Sequence, residues 1–224
     1  MKLAEFRGAY PAERAAALSG VPRTTIHYWV RKGILIPSLS PSKVRLWSYT
    51  DLMALRTIHW LRRRKISEQG WDIPASTMPA VRQALSTLRE LDLEMWTAEH
   101  GPAVLVDLRG EIYVDTQAGL ETAREHLRPL DPDMVNLIAP FKTHTSRGPD
   151  LHSPRPNLRI LPGKLSGEPH IAHSRIETTA VAALSSRGFG YDDLERLYPN
   201  VRPLALAEAI DLERQLDENL RAAA

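Results

Sequence analysis

The 224-residue chain contains no cysteine. That excludes a disulfide scaffold, a Cys-ligated zinc site and thiol redox chemistry. No apolar run approaches the roughly 20 residues needed to span a bilayer. Met1 to Tyr10 lacks the basic-then-apolar layout of a signal peptide. A cytoplasmic protein without a membrane partner is therefore expected. There is also no phosphate-cradling glycine-rich loop, no Gly-x-Ser-x-Gly and no His-Glu-x-x-His. Neither an enzyme nor a cofactor is expected. His170-x-x-His173, flanked by Glu168 and Glu177, offers metal-ligand residue types. On a short strand that spacing sends the two rings to opposite faces, and no metal site is assigned.

What is present is ordinary for a globular protein: 43% apolar and 25% charged residues. The net charge of +2 conceals a division. Residues 1–65 carry 13 Lys or Arg against three acids, a net of +10, and residues 66–224 carry a net of −8. An asymmetry this steep directs the first part toward a polyanion.

Glycine and proline punctuate the chain into three parts. Residues 1–70 form a first unit, 71–157 a helix plus a small α+β connector, and 158–224 a helical tail. In the first unit, Pro11 to Leu18 reads as a helix, Ser19-Gly20-Val21 as a turn, and Pro22 to about Lys32 as a second helix capped by Gly33. Ile34 to Ile36 and Val44 to Tyr49 read as short strands. Thr50 is placed as the cap of a third helix. A fourth runs from about Thr77 to Trp96 on Met78, Val81, Leu85, Leu88 and Met95. Val104 to Val114 reads as a β-hairpin, Ala118 to Leu127 as a helix, and Met134 to Phe141 as a further apolar piece. Thr143 to Gly167, rich in Pro, Gly, Ser and His, reads as a linker. The fold class expected is mainly α: a winged helix-turn-helix, a connector with a hairpin, and a three-helix tail.

Two short helices joined by a tight Gly-containing turn match a helix-turn-helix, whose second helix presents its early residues to the major groove. Those residues are Arg23, Thr24, Thr25, His27 and Tyr28, with Arg31 one turn on. They bring a guanidinium, hydroxyls, an imidazole and a phenol to phosphates and base edges. Ile26, Trp29 and Val30 fall on the inward face.

Val21-Pro22-Arg23-Thr24-Thr25-Ile26-His27-Tyr28-Trp29, Gly33-Ile34-Leu35-Ile36-Pro37 and Arg45-Leu46-Trp47-Ser48-Tyr49-Thr50-Asp51-Leu52 together resemble the MerR-type winged helix-turn-helix. The resemblance covers about residues 10–66. It implies that Lys43 and Arg45 lie on a wing against the DNA backbone of an operator. Effector domains of that family sense metals with cysteines, or organic ligands; without cysteine the thiol route is excluded.

In the tail, Thr178 or Thr179 is placed as a helix cap and Gly188 as its end, with a short helix reaching Tyr198-Pro199 and a long one from about Leu204 to Asn219. Gly167-Glu168-Pro169-His170-Ile171, His173-Ser174-Arg175-Ile176 and these helices resemble the family catalogued as domain of unknown function 433, over about residues 158–220. His173-Ser174-Arg175 replaces that family's Gly-Thr-Arg, so a histidine stands where glycine gives backbone freedom. Members of that family pair with PIN-like ribonuclease toxins. The combination resembles the DNA-binding antitoxin of a type II toxin–antitoxin system.

Residues 191–224 hold eight acids and four arginines, which disfavours phosphate and suits a basic protein partner. Partner contacts are expected at Arg175, Asp192, Asp193, Glu208 and Asp211, around an apolar core of Leu212 and Leu216. A homodimer is expected, through the Met78–Met95 helix or the C-terminal helix. The alternative reading is a MerR-like regulator controlled by a small ligand held by the C-terminal part.

Overall fold

The computed structural model describes residues 8–42, 44–66, 72–90, 96–97, 101–102, 104–106, 109–114, 141–142 and 147–221. Among them the fold is mainly α, with seven α-helices and short antiparallel strand pairs. The helices are α1 (Ala12–Ser19), α2 (Arg23–Arg31), α3 (Tyr49–Leu61), α4 (Met78–Glu90), α5 (Thr178–Ser186), α6 (Tyr191–Leu197) and α7 (Pro203–Arg221). The expected helices over 118–127 and beyond Glu90 lie outside the described residues, as does most of 134–141.

α1 is alanine-rich, and Ala15 through Ser19 are all buried. Alanine is the best helix former and the least bulky apolar one, so neighbouring helices can approach α1 closely. Gly20 adopts a left-handed conformation, φ 72°, and its amide closes the helix on the Ala16 carbonyl. α2 follows after Val21-Pro22.

The end of α2 corrects the strand expected at Ile34–Ile36. The Gly33 amide bonds back to the Val30 carbonyl, and the Ile34 amide to the Trp29 carbonyl at 2.9 Å. This is the paired capping arrangement that follows a left-handed glycine, with Ile34 packing beside Trp29. The Ile34 amide is spent on the helix and is lost to a ladder.

The wing is also shorter than expected. Only Leu46–Trp47 is a strand; it pairs with Tyr10–Pro11, and Leu46 exchanges hydrogen bonds with Ser40 on its other side. Ser48, not Thr50, caps α3. The Ser48 hydroxyl accepts from the Asp51 amide, while the Asp51 carboxylate accepts from the Ser48 amide. The same carboxylate receives the Ser38 amide and hydroxyl, which ties the wing loop to α3.

The connector forms the expected hairpin: Val104–Val106 pairs antiparallel with Ile112–Val114. The segment expected as a linker is the larger correction. Its described part, 147–167, is a strap packed into the molecule, with Leu151, Leu158 and Ile160 fully buried. Arg147–Gly148 pairs with Phe141–Lys142, and Leu158–Arg159 pairs with His170–Ile171. Proline and glycine here shape an irregular but buried path.

In the tail, Thr178 is the first residue of α5 rather than its cap; Glu177 holds that position. The Thr178 hydroxyl lies within hydrogen-bonding reach of the Pro169 carbonyl, at 3.2 Å, and of the Glu213 carboxylate. His173 takes the left-handed conformation, φ 60°, which histidine adopts more readily than most side chains. The buried apolar residues of head, strap and tail join in one core cluster.

Candidate nucleic-acid interface

α2 sorts its residues by the helical period. Ile26 and Trp29 are buried, Val30 is half-buried against the core, and Arg23, Thr24, Tyr28 and Arg31 are exposed, with Thr25 and His27 between. The inward anchoring of Ile26 and Trp29 fixes which edge of the helix faces out. Of the residues read as outward, Arg23, Thr24, Tyr28 and Arg31 are exposed, and of those read as inward, Ile26 and Trp29 are buried.

Charge is concentrated at one end of that face. Arg23 donates from Nε to His27 Nε2 at 3.3 Å and from Nη1 to Glu13 of α1 at 2.5 Å. Arg45, at the base of the wing, brings Nη1 within 3.5 Å of His27 Nδ1. Partial burial lowers the pKa of His27, and the charges of Arg23, Arg45 and Arg31 lower it further. A neutral imidazole has one acceptor lone pair, so His27 accepts from one guanidinium at a time. Recognition helix and wing therefore meet on a single ring, with donors to spare for an anion. Lys43, the other expected wing contact, lies outside the described residues.

Two interactions at the back of the head escaped sequence reasoning. Arg14, on α1, makes a two-point contact with Glu213 of α7 (Nη1–Oε2 2.7 Å, Nη2–Oε1 2.8 Å) and donates from Nε to Glu168 at 2.8 Å. Burial by itself lowers the pKa of Arg14, but hydrogen bonds and charge from Glu213 and Glu168 more than offset this and raise it. Burial pushes the Glu168 carboxyl up, against the pull of Arg14. Nearby, the buried Tyr10 phenol donates to the Gly167 carbonyl at 2.8 Å, and Asn219 Nδ2 donates to the Ala17 carbonyl.

The second is Arg56 of α3, which is fully buried. Its Nη2 donates to the Leu18 carbonyl at 2.8 Å and to the Pro149 carbonyl at 2.5 Å. Burial lowers its pKa to about 10. Tyr49 donates to Leu151 of the same strap at 2.9 Å, and burial raises its pKa to about 12. Nothing in the local pattern of an arginine on an α3 helix signals a partner about 90 residues away.

The expected partner residues of the tail divide. Arg175 and Asp192 are exposed. Asp193 caps α6 by accepting from the Gly190 amide and pairs with Arg196. Glu208 accepts from Asn157 through both amide groups, at 2.8 and 3.0 Å, and Asp211 holds Arg155 at 2.8 Å. Leu212 and Leu216 are 0% and 1% exposed. They close the chain's own core, so the stripe expected at a partner contact is spent internally. Among the described residues no group of three or more His, Asp or Glu side chains is placed to hold a metal ion.

A tight helix pair with a buried inward stripe, a basic outward face and a short wing defines a winged helix-turn-helix head. Residues 10–70 match the family described as MerR HTH family regulatory protein, and this segment is a MerR-family helix-turn-helix domain. Among curated proteins none matches this chain. Among solved structures the chain is similar to the X-ray crystal structure of Rv2018 from Mycobacterium tuberculosis, at 16% identity and a TM-score of 0.44, over 90% of this chain and 96% of that one.

Proposed function

We propose that this chain is a DNA-binding antitoxin that represses its own operon and neutralises a PIN-like ribonuclease. The observation that carries the reading is the outward face of α2. Arg23, Thr24, Tyr28 and Arg31 stand exposed there beside the wing residue Arg45, within a segment that matches MerR-family regulators. Hydroxyls and guanidinium groups on that face suit base edges and phosphates.

The partner half of the reading is supported by charge. A ribonuclease that grips RNA phosphates presents a basic groove, and carboxylates complementary to it speed association and select the partner. Asp192, Glu195, Asp217 and Glu218 are exposed in the tail. Arg175 remains a further candidate contact on the same part of the chain.

Because α7 completes the core around α1, removal of the tail would uncover the head's buried face. The test therefore uses the full chain. Asp217→Lys with Glu218→Lys should leave operator binding in a gel shift intact and abolish rescue of growth when the neighbouring gene product is co-expressed. Full rescue by that variant removes the acidic surface from the contact. If no neighbouring product is toxic, the antitoxin reading falls, and a MerR-like regulator controlled by a small ligand takes its place.

A further inference from the structure

One acid stands among the cations of the reading face. Among the described residues of the head the acids are Glu13 and Asp51. Asp51 is buried and spent on the cap of α3 and on Ser38. Glu13 lies in the first turn of α1 with its side chain 64% exposed, and its Oε1 accepts from Arg23 Nη1 at 2.5 Å. A carboxylate there also suits the dipole of α1, but the dipole does not call for a bond across to α2.

The bond answers a difficulty at the start of α2. Arg23 is the first residue of that helix, where the exposed amides carry the positive end of the dipole and disfavour a cation. The first turn of α2 holds no acid of its own. Glu13 supplies the missing charge from the neighbouring helix, and His27 Nε2 accepts from Arg23 Nε at 3.3 Å. The guanidinium is thus held through Nε and Nη1, which leaves the Nη2 hydrogens for a further acceptor. Among the described residues, Arg31 and Arg45 of the same face meet no carboxylate at ion-pair distance.

The two kinds of DNA contact differ in what they ask of this pair. A phosphate is an anion, so Arg23 reaches one only by giving up Glu13, whose carboxylate then stands unpaired near the backbone. A base edge is neutral, and guanine offers two acceptors to a guanidinium. Arg23 can bind there while Glu13 stays in place. The carboxylate penalises the sequence-independent contact and spares the specific one. We infer that Glu13 is a positioning residue for sequence discrimination: it keeps Arg23 off phosphates and holds its remaining donors for a base edge. The inference rests on the reading of the head as a DNA binder, and adds to it a determinant that lies outside the recognition helix.

Two measurements on the full chain test it. Without DNA, heteronuclear NMR should show the Arg23 Nε–H as a distinct, slowly exchanging signal that Glu13→Ala shifts and broadens. With DNA, wild type first enriches duplexes from a pool of randomised sequence. Affinities for an enriched duplex and for its scrambled counterpart are then measured for wild type, Glu13→Ala, Arg23→Ala and the double variant. Glu13→Ala should lower the ratio of the two affinities about two- to fivefold, the scale of an exposed ion pair, mostly through tighter binding of the scrambled duplex. In the Arg23→Ala background the same substitution should leave the ratio unchanged. A ratio unmoved by Glu13→Ala overturns the inference. So does an equal effect with and without Arg23, which reduces Glu13 to one more negative charge near the backbone. An Arg23 signal that ignores Glu13→Ala removes the inference alone, whereas a wild type that enriches no sequence removes the reading of the head with it.

Discussion

The guanidinium of Arg14 meets the carboxylate of Glu213 across 199 residues of chain, at 2.7 and 2.8 Å. One residue belongs to the first helix of the head and the other to the last helix of the tail. Their contact, shared with Glu168, makes the two ends of the chain a single folded unit.

Breaking that contact from one side should be costly, because the remaining charge stays buried without its partner. Arg14→Met is expected to lower stability by about 3–5 kcal/mol, and Glu213→Gln by somewhat less because the amide can still accept hydrogen bonds. Urea unfolding monitored by circular dichroism measures both. A midpoint within 0.5 kcal/mol of wild type for Arg14→Met, by the usual scatter of about that size for neutral surface changes, contradicts the assignment.

Gly148 faces Arg56. A Cβ there would stand 2.6 Å from Nη2 and 3.2 Å from the Ser19 carbonyl. Gly148→Ala should push the guanidinium off the Leu18 and Pro149 carbonyls and cost about 1–3 kcal/mol, the usual penalty for unpairing buried polar groups. The same unfolding assay applies, and a neutral result would mean that the strap is not seated as described.

The head makes separable predictions. Arg23→Ala should weaken operator binding by about 1–3 kcal/mol and relax discrimination at one base pair. Arg45→Ala should weaken binding to all sequences alike and reduce the salt slope by about one unit. Glu13→Gln removes the carboxylate that holds Arg23 and should raise affinity for any DNA. Fluorescence anisotropy titrations on operator and scrambled duplexes, at several salt concentrations, distinguish the three patterns.

His59 sits buried in α3 beside Arg63, and its pKa is lowered to about 4, first by burial and then by that neighbouring charge. A histidine unfolded near its ordinary value of about 6.5 takes up a proton that the folded chain refuses. Its contribution is complete above about pH 6.5 and is lost as pH falls toward 4, at up to about 1.4 kcal/mol per pH unit. His59→Gln should flatten this acid limb. Denaturation midpoints at pH 7 and pH 4.5 for both proteins provide the measurement, and parallel pH profiles would dismiss the histidine as the cause.

The head was largely legible in the sequence because its signals are local. Gly20 and Gly33 mark turns that need positive φ, and Ile26, Trp29 and Val30 fall on one side of a helix whose other side is polar. The strand read at Ile34–Ile36 failed because apolar content says nothing about where an amide bonds, and the Ile34 amide turns back to α2. Leu212 and Leu216 announced a covered face of α7 but not what covers it. Arg14 and Arg56 look like surface cations until the tail and strap arrive, and those contacts depend on tertiary closure alone. The proline-rich stretch misled in the same way, since Leu151 stands alone and the alternating pair Leu158 and Ile160 is too short a run to announce a buried strand.

The bond from Asn219 to the Ala17 carbonyl bears on how the chain is born. Synthesis proceeds from the N-terminus, and the head emerges first. The part of α1 that packs on α7 has no cover until α7 has left the ribosome. Contacts of such sequence separation close slowly, because the loop entropy is spent before they form. A nascent chain that has completed the head therefore still carries an open alanine-and-leucine face, which closes only after α7 has emerged.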